Sequence, residues 1–389
     1  MARRPLRIYN IPYFRNKVLE LHQPHSPSKE HDSLNTLQHP HSSETPMIPI
    51  RRKHGVGCGA KAIIHKASET IVVKVPHSTA LAADKNPISA EVKFYNRMFE
   101  EKGRCLDIVE CFIALPNFIF LSYCCNDTVG RRFSNYQERE LLPSGLHGRL
   151  MSVKQYEDPA LIARWIQQLS SALAFVEKLG YTHNDQHLGN CLLDKNLNLK
   201  LCDFDRATTI GQFLESFIEP WAIKLTSGPL IDTYGLTSAR TEQFAVGTFL
   251  YSMVYGHEPY EDIHLREDNP DELFRRFRNM EFPDLNRHEV FDELISACWH
   301  NVYPTMALLD YDFKRKTKDI ASPANYEVIN YAKEKHACVS MIRRGLLGPE
   351  LALSYQPAWQ RCIHATLGSL LYVWRRTVNF LGLFFHKWY

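Results

Sequence analysis

The sequence predicts an α+β protein of two lobes, a small β-rich lobe followed by a larger, mostly α-helical one. Three observations predict it. Short β-branched runs separated by a polar turn fill the stretch after residue 55. From Pro159 to Lys178 apolar residues recur at helical spacing without a break. Further helix-period segments then follow as far as His300. With 389 residues, the chain is long enough for one such two-lobed domain with a sizeable core.

In chain order, residues 1–54 read as a disordered segment. Pro24, Pro27, Pro40, Pro46 and Pro49 lie among polar residues with few apolar anchors to offset ordering entropy. The histidines at 22, 25, 31, 39 and 41 are irregularly spaced and read as a solvated tail. The small lobe spans 55–124. Ala62-Ile63-Ile64 and Thr70 to Val75 form a hairpin, Ile88 to Lys102 a helix, and Ile108–Phe112 and Phe118–Tyr123 two more strands. The large lobe spans 125–335. Its helices are Pro159–Lys178, closed by Gly180; Ala239–Tyr255, closed by Gly256; Glu272–Met280; and His288–His300. Residues 336–389 form a helical extension. Within it Leu367, Leu370, Leu371, Trp374, Val378, Leu381, Phe385 and Trp388 make one apolar stripe. Arg375 and Arg376 interrupt it, so the reading is a helix docked on the large lobe or on a membrane surface, with no transmembrane span.

A net charge of +3 does not argue for nucleic acid as a partner. The ten cysteines include no Cys-x-x-Cys pair and read as reduced thiols, which suits the cytosol or nucleus.

The chemistry concentrates between Tyr181 and Arg206. Asp185 and Asn190 stand five apart on one loop, and Asp203 follows thirteen residues later. A carboxylate at Asp185 can orient an attacking hydroxyl and accept its proton. Asn190 and Asp203 offer hard oxygens to Mg²⁺. Asp and Asn in loops also form Asx turns; against that bland origin stand the spacing, an amphipathic helix upstream and the strand-like Leu199–Cys202 downstream. The order of the features before it is also informative. Gly57 and Gly59 lie in a turn between two strands, Lys74 closes an apolar strand, and Glu91 sits seventeen residues later in a helix.

Together these residues resemble the eukaryotic-type protein kinase family, nearest to the divergent kinase-like proteins of filamentous fungi. The resemblance covers about Gly55 to Leu309. It implies a kinase fold hinged near Ser122-Tyr123-Cys124, with ATP and Mg²⁺ between the lobes. On this reading Gly57 and Gly59 cover the phosphates, Lys74 reaches them and pairs with Glu91, and backbone groups of Ser122 and Cys124 hold the adenine. Asp185 is the base, and Asn190 and Asp203 hold the metal. Three features of the large lobe extend the likeness: Glu242, standing where the family has an Asp that holds the catalytic loop; Gly256 to Tyr260; and Cys298-Trp299.

Departures from the family pattern are Asp205 for glycine in Asp203-Phe204-Asp205, Asn184 for arginine, His187 for lysine, and Glu219-Pro220 in place of Ala-Pro-Glu. The implied activity is transfer of the γ-phosphate to Ser/Thr hydroxyls of an unidentified protein substrate. Two alternatives stay open: an ATP-binding pseudokinase or scaffold, and a small-molecule phosphotransferase of the aminoglycoside or choline kinase type.

Overall fold

The computed structural model describes residues 55–59, 61–77, 86–142, 147–214 and 219–343. The segment 1–54, its histidines and the stripe 367–388 lie outside the described residues. Gly55–Ile329 belong to one compact unit, and the helix Tyr331–Arg343 belongs to another. Among the described residues no helix is long and apolar enough to cross a membrane.

The small lobe is a five-stranded antiparallel sheet. Its strands are β1 (Gly55–Cys58), β2 (Ala62–Lys66), β3 (Ile71–Pro76), β4 (Cys111–Leu115) and β5 (Phe118–Ser122), in the order β1-β2-β3-β5-β4. Helix α1 (Ser89–Glu100) lies between β3 and β4 in sequence and buries Glu91, Val92, Phe94 and Tyr95. Two expectations need correction. Lys74 does not end its strand: it is internal to β3, paired with Ile64 on one side and Ile119 on the other. The strand expected at Ile108–Phe112 starts only at Cys111. Before it, Val109 donates its N–H to Leu201 O (3.0 Å) and Leu201 donates to Asp107 O (2.8 Å), so that backbone is already engaged with the other lobe.

The large lobe continues with α2 (Val129–Tyr136), the hairpin β6 (Gln137–Leu141) and β7 (His147–Val153), and α3 (Pro159–Lys178). Helix α3 starts at Pro159 because Asp158 caps it, accepting the Ala160 N–H at 2.9 Å, and proline at the first turn forgoes no bond. Eleven of its residues are buried, Trp165 and Ile166 completely. Short strands β8 (Tyr181–Thr182), β9 (Cys191–Leu193), β10 (Leu199–Leu201) and β11 (Thr208–Thr209) follow, then α4 (Ala239–Tyr255), α5 (Leu265–Asp268), α6 (Pro270–Arg278), α7 (Glu289–Trp299) and α8 (Met306–Thr317).

Helices α4 and α7 approach closely at Gly247, where an added Cβ would lie 2.9 Å from both Cys298 and Trp299 atoms. Cys298 and Trp299 are both buried there, and the Trp299 indole donates to Thr248 Oγ1 at 3.2 Å. After α8 the chain returns along α3. Ser322 donates its N–H to Ala160 O (2.9 Å), Arg164 donates to Pro323 O (2.9 Å), and the Tyr326 hydroxyl meets Asp107 Oδ1 at 2.5 Å. That strap braces the Asp107 turn, which in turn pairs with β10, the strand leading into Asp203.

Candidate active site

Both lobes contribute side chains to one cluster. Lys74 extends from β3 and is only 7% exposed, so the bland fate of a lysine in water does not apply. Its Nζ lies 2.5 Å from Glu91 Oε2 on α1 and 2.5 Å from Asp203 Oδ1 on the far lobe. Burial alone would lower the Lys74 pKa. The carboxylates of Asp203 and Glu91 outweigh it and raise the value well above the usual lysine range. Burial pushes Glu91 upward against the pull of Lys74. For Asp203 the Lys74 ammonium overcomes the burial penalty and holds the carboxyl below its ordinary value.

What aims Asp203 is its neighbour. Phe204 is fully buried, stacked on Phe94 of α1 with ring centres 3.9 Å apart and flanked edge-on by Tyr95 and His183. Anchoring the ring under α1 fixes both ends of the Glu91–Lys74–Asp203 chain at once. Asp203 adopts a left-handed backbone (φ 66°, ψ 67°), which costs a non-glycine residue about 1 kcal/mol. The glycine-like conformation thus falls on Asp203. Asp205, which stands where the family has glycine, sits in an ordinary single turn of 3₁₀ helix, Phe204–Arg206.

The loop Tyr181–Asn190 supplies the second half. Asn190 Nδ2 donates to Asp185 O (2.9 Å) and to Asp185 Oδ2 (3.1 Å), which fixes its amide and leaves Oδ1 as the atom able to meet a cation. The Asn190 carbonyl accepts the Cys202 N–H at 3.0 Å, tying this loop to the Asp203 segment. His183 is wholly buried and neutral: burial lowers its pKa, one ring nitrogen donates to Cys202 O (3.0 Å), and Nδ1 accepts the Asp185 N–H (3.2 Å). Two side chains face Asp185 Oδ2: the Arg206 guanidinium, Nε at 3.7 Å, and the His187 ring, Nε2 at 4.0 Å, whose Nδ1 accepts the Gly189 N–H at 3.0 Å.

Glu242 holds the loop from below. Its carboxylate, 2% exposed, accepts the N–H of His183 at 2.8 Å and of Asn184 at 3.1 Å. Asn184 also has a left-handed backbone (φ 62°), and its amide donates to Arg206 O (3.1 Å) and Thr208 Oγ1 (3.0 Å). Burial pushes Glu242 up to about 7. A carboxyl raised above its unfolded value near 4.5 contributes stability fully below that value and loses it as pH rises through about 7. Glu242→Gln removes that titration. The melting temperature of the variant relative to the parent is therefore expected to rise between pH 5 and pH 8, by the equivalent of roughly 3 kcal/mol. Paired thermal melts at the two pH values check this; a constant difference contradicts it.

The cover of the site is the turn between β1 and β2. Gly59 donates its N–H to Ala62 O at 2.9 Å. A Cβ on Gly57 or Gly59 would meet the chain only at 3.6–3.7 Å, ordinary contact, so the chain's own packing leaves room there for a group to approach the backbone. At the hinge, β5 ends at Ser122, whose N–H goes to Glu110 O (2.9 Å), while Tyr123 donates to Thr70 O (2.9 Å).

The structure therefore brings Lys74, Glu91, Asp185, Asn190 and Asp203 together and sets Gly59 on the turn and Ser122 and Cys124 at the hinge; Gly57, expected in the turn, lies instead within β1, paired with Ile64. Sequence reasoning missed Lys61 and Arg206. Lys61 Nζ lies 3.0 Å from Asp205 Oδ2, and Arg206 faces Asp185. Both adjoin motifs that were singled out, but nothing in their spacing marks their direction. The donor set for a cation is one carboxylate and one amide, hard oxygens suited to Mg²⁺, which completes its shell with water and phosphate rather than a protein cage. Among the described residues no group of three or more His, Cys, Asp or Glu forms such a cage.

The model of the protein tyrosine and serine/threonine kinase family matches residues 55–305, and the chain belongs to that family. Tyrosine-protein kinase ABL2 of Homo sapiens is 30% identical over 189 residues, 47% of this chain and 15% of that protein. Testis-specific serine/threonine-protein kinase 2 of Mus musculus is 27% identical over 184 residues, 41% of this chain and 50% of that protein. The carbon catabolite-derepressing protein kinase of Secale cereale is 27% identical over 242 residues, 58% of this chain and 41% of that protein. The match thus spans half or less of each relative's length. A kinase domain implies use of ATP and a divalent metal ion.

Proposed function

We propose that the chain is an active protein kinase that transfers the γ-phosphate of ATP to Ser or Thr hydroxyls, with Asp185 as the base. The observation that carries this reading is the contact of Lys74 with both Glu91 and Asp203, because it joins the two lobes' charged groups at the place where a triphosphate needs them. Lys74 would meet the inner phosphates, Gly57 at the end of β1 and Gly59 in the turn after it would cover them, and backbone groups of Ser122 and Cys124 would hold adenine. Asn190 and Asp203 would hold Mg²⁺. Bound there, the metal neutralises charge developing on the phosphates.

Asp185 orients the acceptor hydroxyl and takes its proton. His187 stands where the family has lysine, and Arg206 supplies a permanent cation beside the same carboxylate, which supports turnover over a pseudokinase. The family match and the Glu242 anchor support a protein substrate over a small-molecule one. For Ser/Thr, the support is the testis-specific relative. The cytosol or nucleus is the proposed location, in keeping with a sequence whose ten cysteines include no Cys-x-x-Cys pair. Phosphoamino-acid analysis of a mixed protein acceptor after reaction with labelled ATP tests the reading. Phosphoserine or phosphothreonine is expected; phosphotyrosine alone, or label on small-molecule hydroxyls alone, overturns it.

Activity is expected not to need a phosphate on the segment 208–238. Asn184 is neutral, and its amide is already engaged with Arg206 O and Thr208 Oγ1, which orders the start of that segment directly. Phosphatase treatment before a turnover assay should leave the rate unchanged. A large drop contradicts the expectation.

A further inference from the structure

Asp205 is a departure from the family pattern that the reading above does not use. Its carboxylate is 11% exposed and lies 3.0 Å from Lys61 Nζ, on the turn between β1 and β2 in the opposite lobe. The two ends of this pair differ. Asp205 rides on the short turn whose Phe204 is locked into the α1 aromatic cluster, so its position is fixed. Lys61, 40% exposed, extends from a turn closed by the Gly59–Ala62 hydrogen bond and steadied by His77, whose ring donates to Gly59 O at 2.9 Å.

We propose that Asp205 is a positioning residue: through Lys61 it latches the β1–β2 turn across the mouth of the cleft, holding that turn over the phosphates of the bound nucleotide. The inference rests on the phosphoryl-transfer reading of the site. An ammonium has three donors, and one carboxylate engages only part of them. The remaining N–H groups of Lys61 then lie on the turn that covers the phosphates, where the same cation serves both latch and ligand. Glycine at 205 offers no such anchor, since it has no side chain to cross the cleft. Because the latch is a pair, its two members must act as one unit, which separates it from two independent surface charges.

The experiment is a double-mutant cycle, Lys61→Met, Asp205→Asn and both together, in the full chain. Two quantities are read: the Kd for Mg²⁺-ATP by fluorescence titration, and amide hydrogen exchange of residues 55–66 without nucleotide. Asp205→Asn is expected to raise the Kd about fivefold, the size of a partly exposed ion pair. It should also speed exchange in the turn. The double variant should exchange no faster than either single one, and Asp205→Glu should restore slow exchange.

Additive effects in the cycle, or unchanged exchange in Asp205→Asn, overturn the latch. So does a variant whose defect is confined to the Mg²⁺ requirement while Lys61→Met is silent, because Asp205 would then be a metal ligand. If the parent protein failed to bind Mg²⁺-ATP at all, the phosphoryl-transfer reading would fall, and the exchange data would still decide whether the latch exists.

Discussion

Asp203→Ala is expected to weaken Mg²⁺-ATP binding by about 100-fold, the largest effect on affinity of any single change in this site. The side chain serves two groups at once. Oδ1 receives the Lys74 ammonium at 2.5 Å, and on the proposed reading the second oxygen would be the carboxylate donor for the cation. Removing both leaves Lys74 paired with Glu91 alone and the metal with one amide oxygen from the protein. The fold should survive, since Phe204 and not Asp203 fills the space under α1. Alanine tolerates the left-handed backbone at 203 less well than aspartate, a penalty of about 1 kcal/mol. Asp203→Asn keeps that tolerance and isolates the charge. Nucleotide titrations with and without Mg²⁺ check the result. An affinity that stays within threefold in both variants would remove Asp203 from the metal site.

Asp185→Asn is expected to slow phosphate transfer by ~10²–10⁴-fold while leaving nucleotide affinity nearly intact. The change removes the proton acceptor and the charge facing Arg206 and His187, but none of the groups assigned to the nucleotide. Its cost to the loop is small. Asn190 still donates to the Asp185 backbone carbonyl, and an asparagine side-chain oxygen can accept the second bond. Steady-state rates at saturating ATP, beside an ATP titration, separate the two quantities. Transfer at the parent rate would show that Asp185 is not the base.

Much of this arrangement was legible in the sequence, and the reasons are physical. Helices α3 and α4 were read to the residue because each combines a long apolar periodicity with a terminating glycine: Gly180 and Gly256 both adopt the left-handed conformation that ends a helix. The pairing of Lys74 with Glu91 was implied by the family resemblance; the direct contact of Lys74 with Asp203 was not read, since it depends on how the two lobes come together. Helix α2 was missed: it has eight residues, too few for a period to emerge. The hairpin β6–β7 was missed because Gln-Glu-Arg-Glu-Leu carries no apolar alternation; ladder bonds and the Arg139–Glu261 ion pair at 2.6 Å hold it instead. Lys61 and Arg206 were passed over for a different reason. Their partners are fixed by how the two lobes and the loop come together, and no local pattern encodes the direction of a long flexible side chain.

One measurement addresses the central claim most directly: transfer of label from γ-labelled ATP to a protein acceptor by the purified chain, with Mg²⁺ and with the metal chelated. The account predicts label on Ser or Thr that requires Mg²⁺ and disappears on chelation. Mg²⁺-dependent ATP binding with no transfer to any acceptor in a broad protein panel would contradict it, and would leave the cluster of Lys74, Glu91 and Asp203 as a nucleotide-binding site alone.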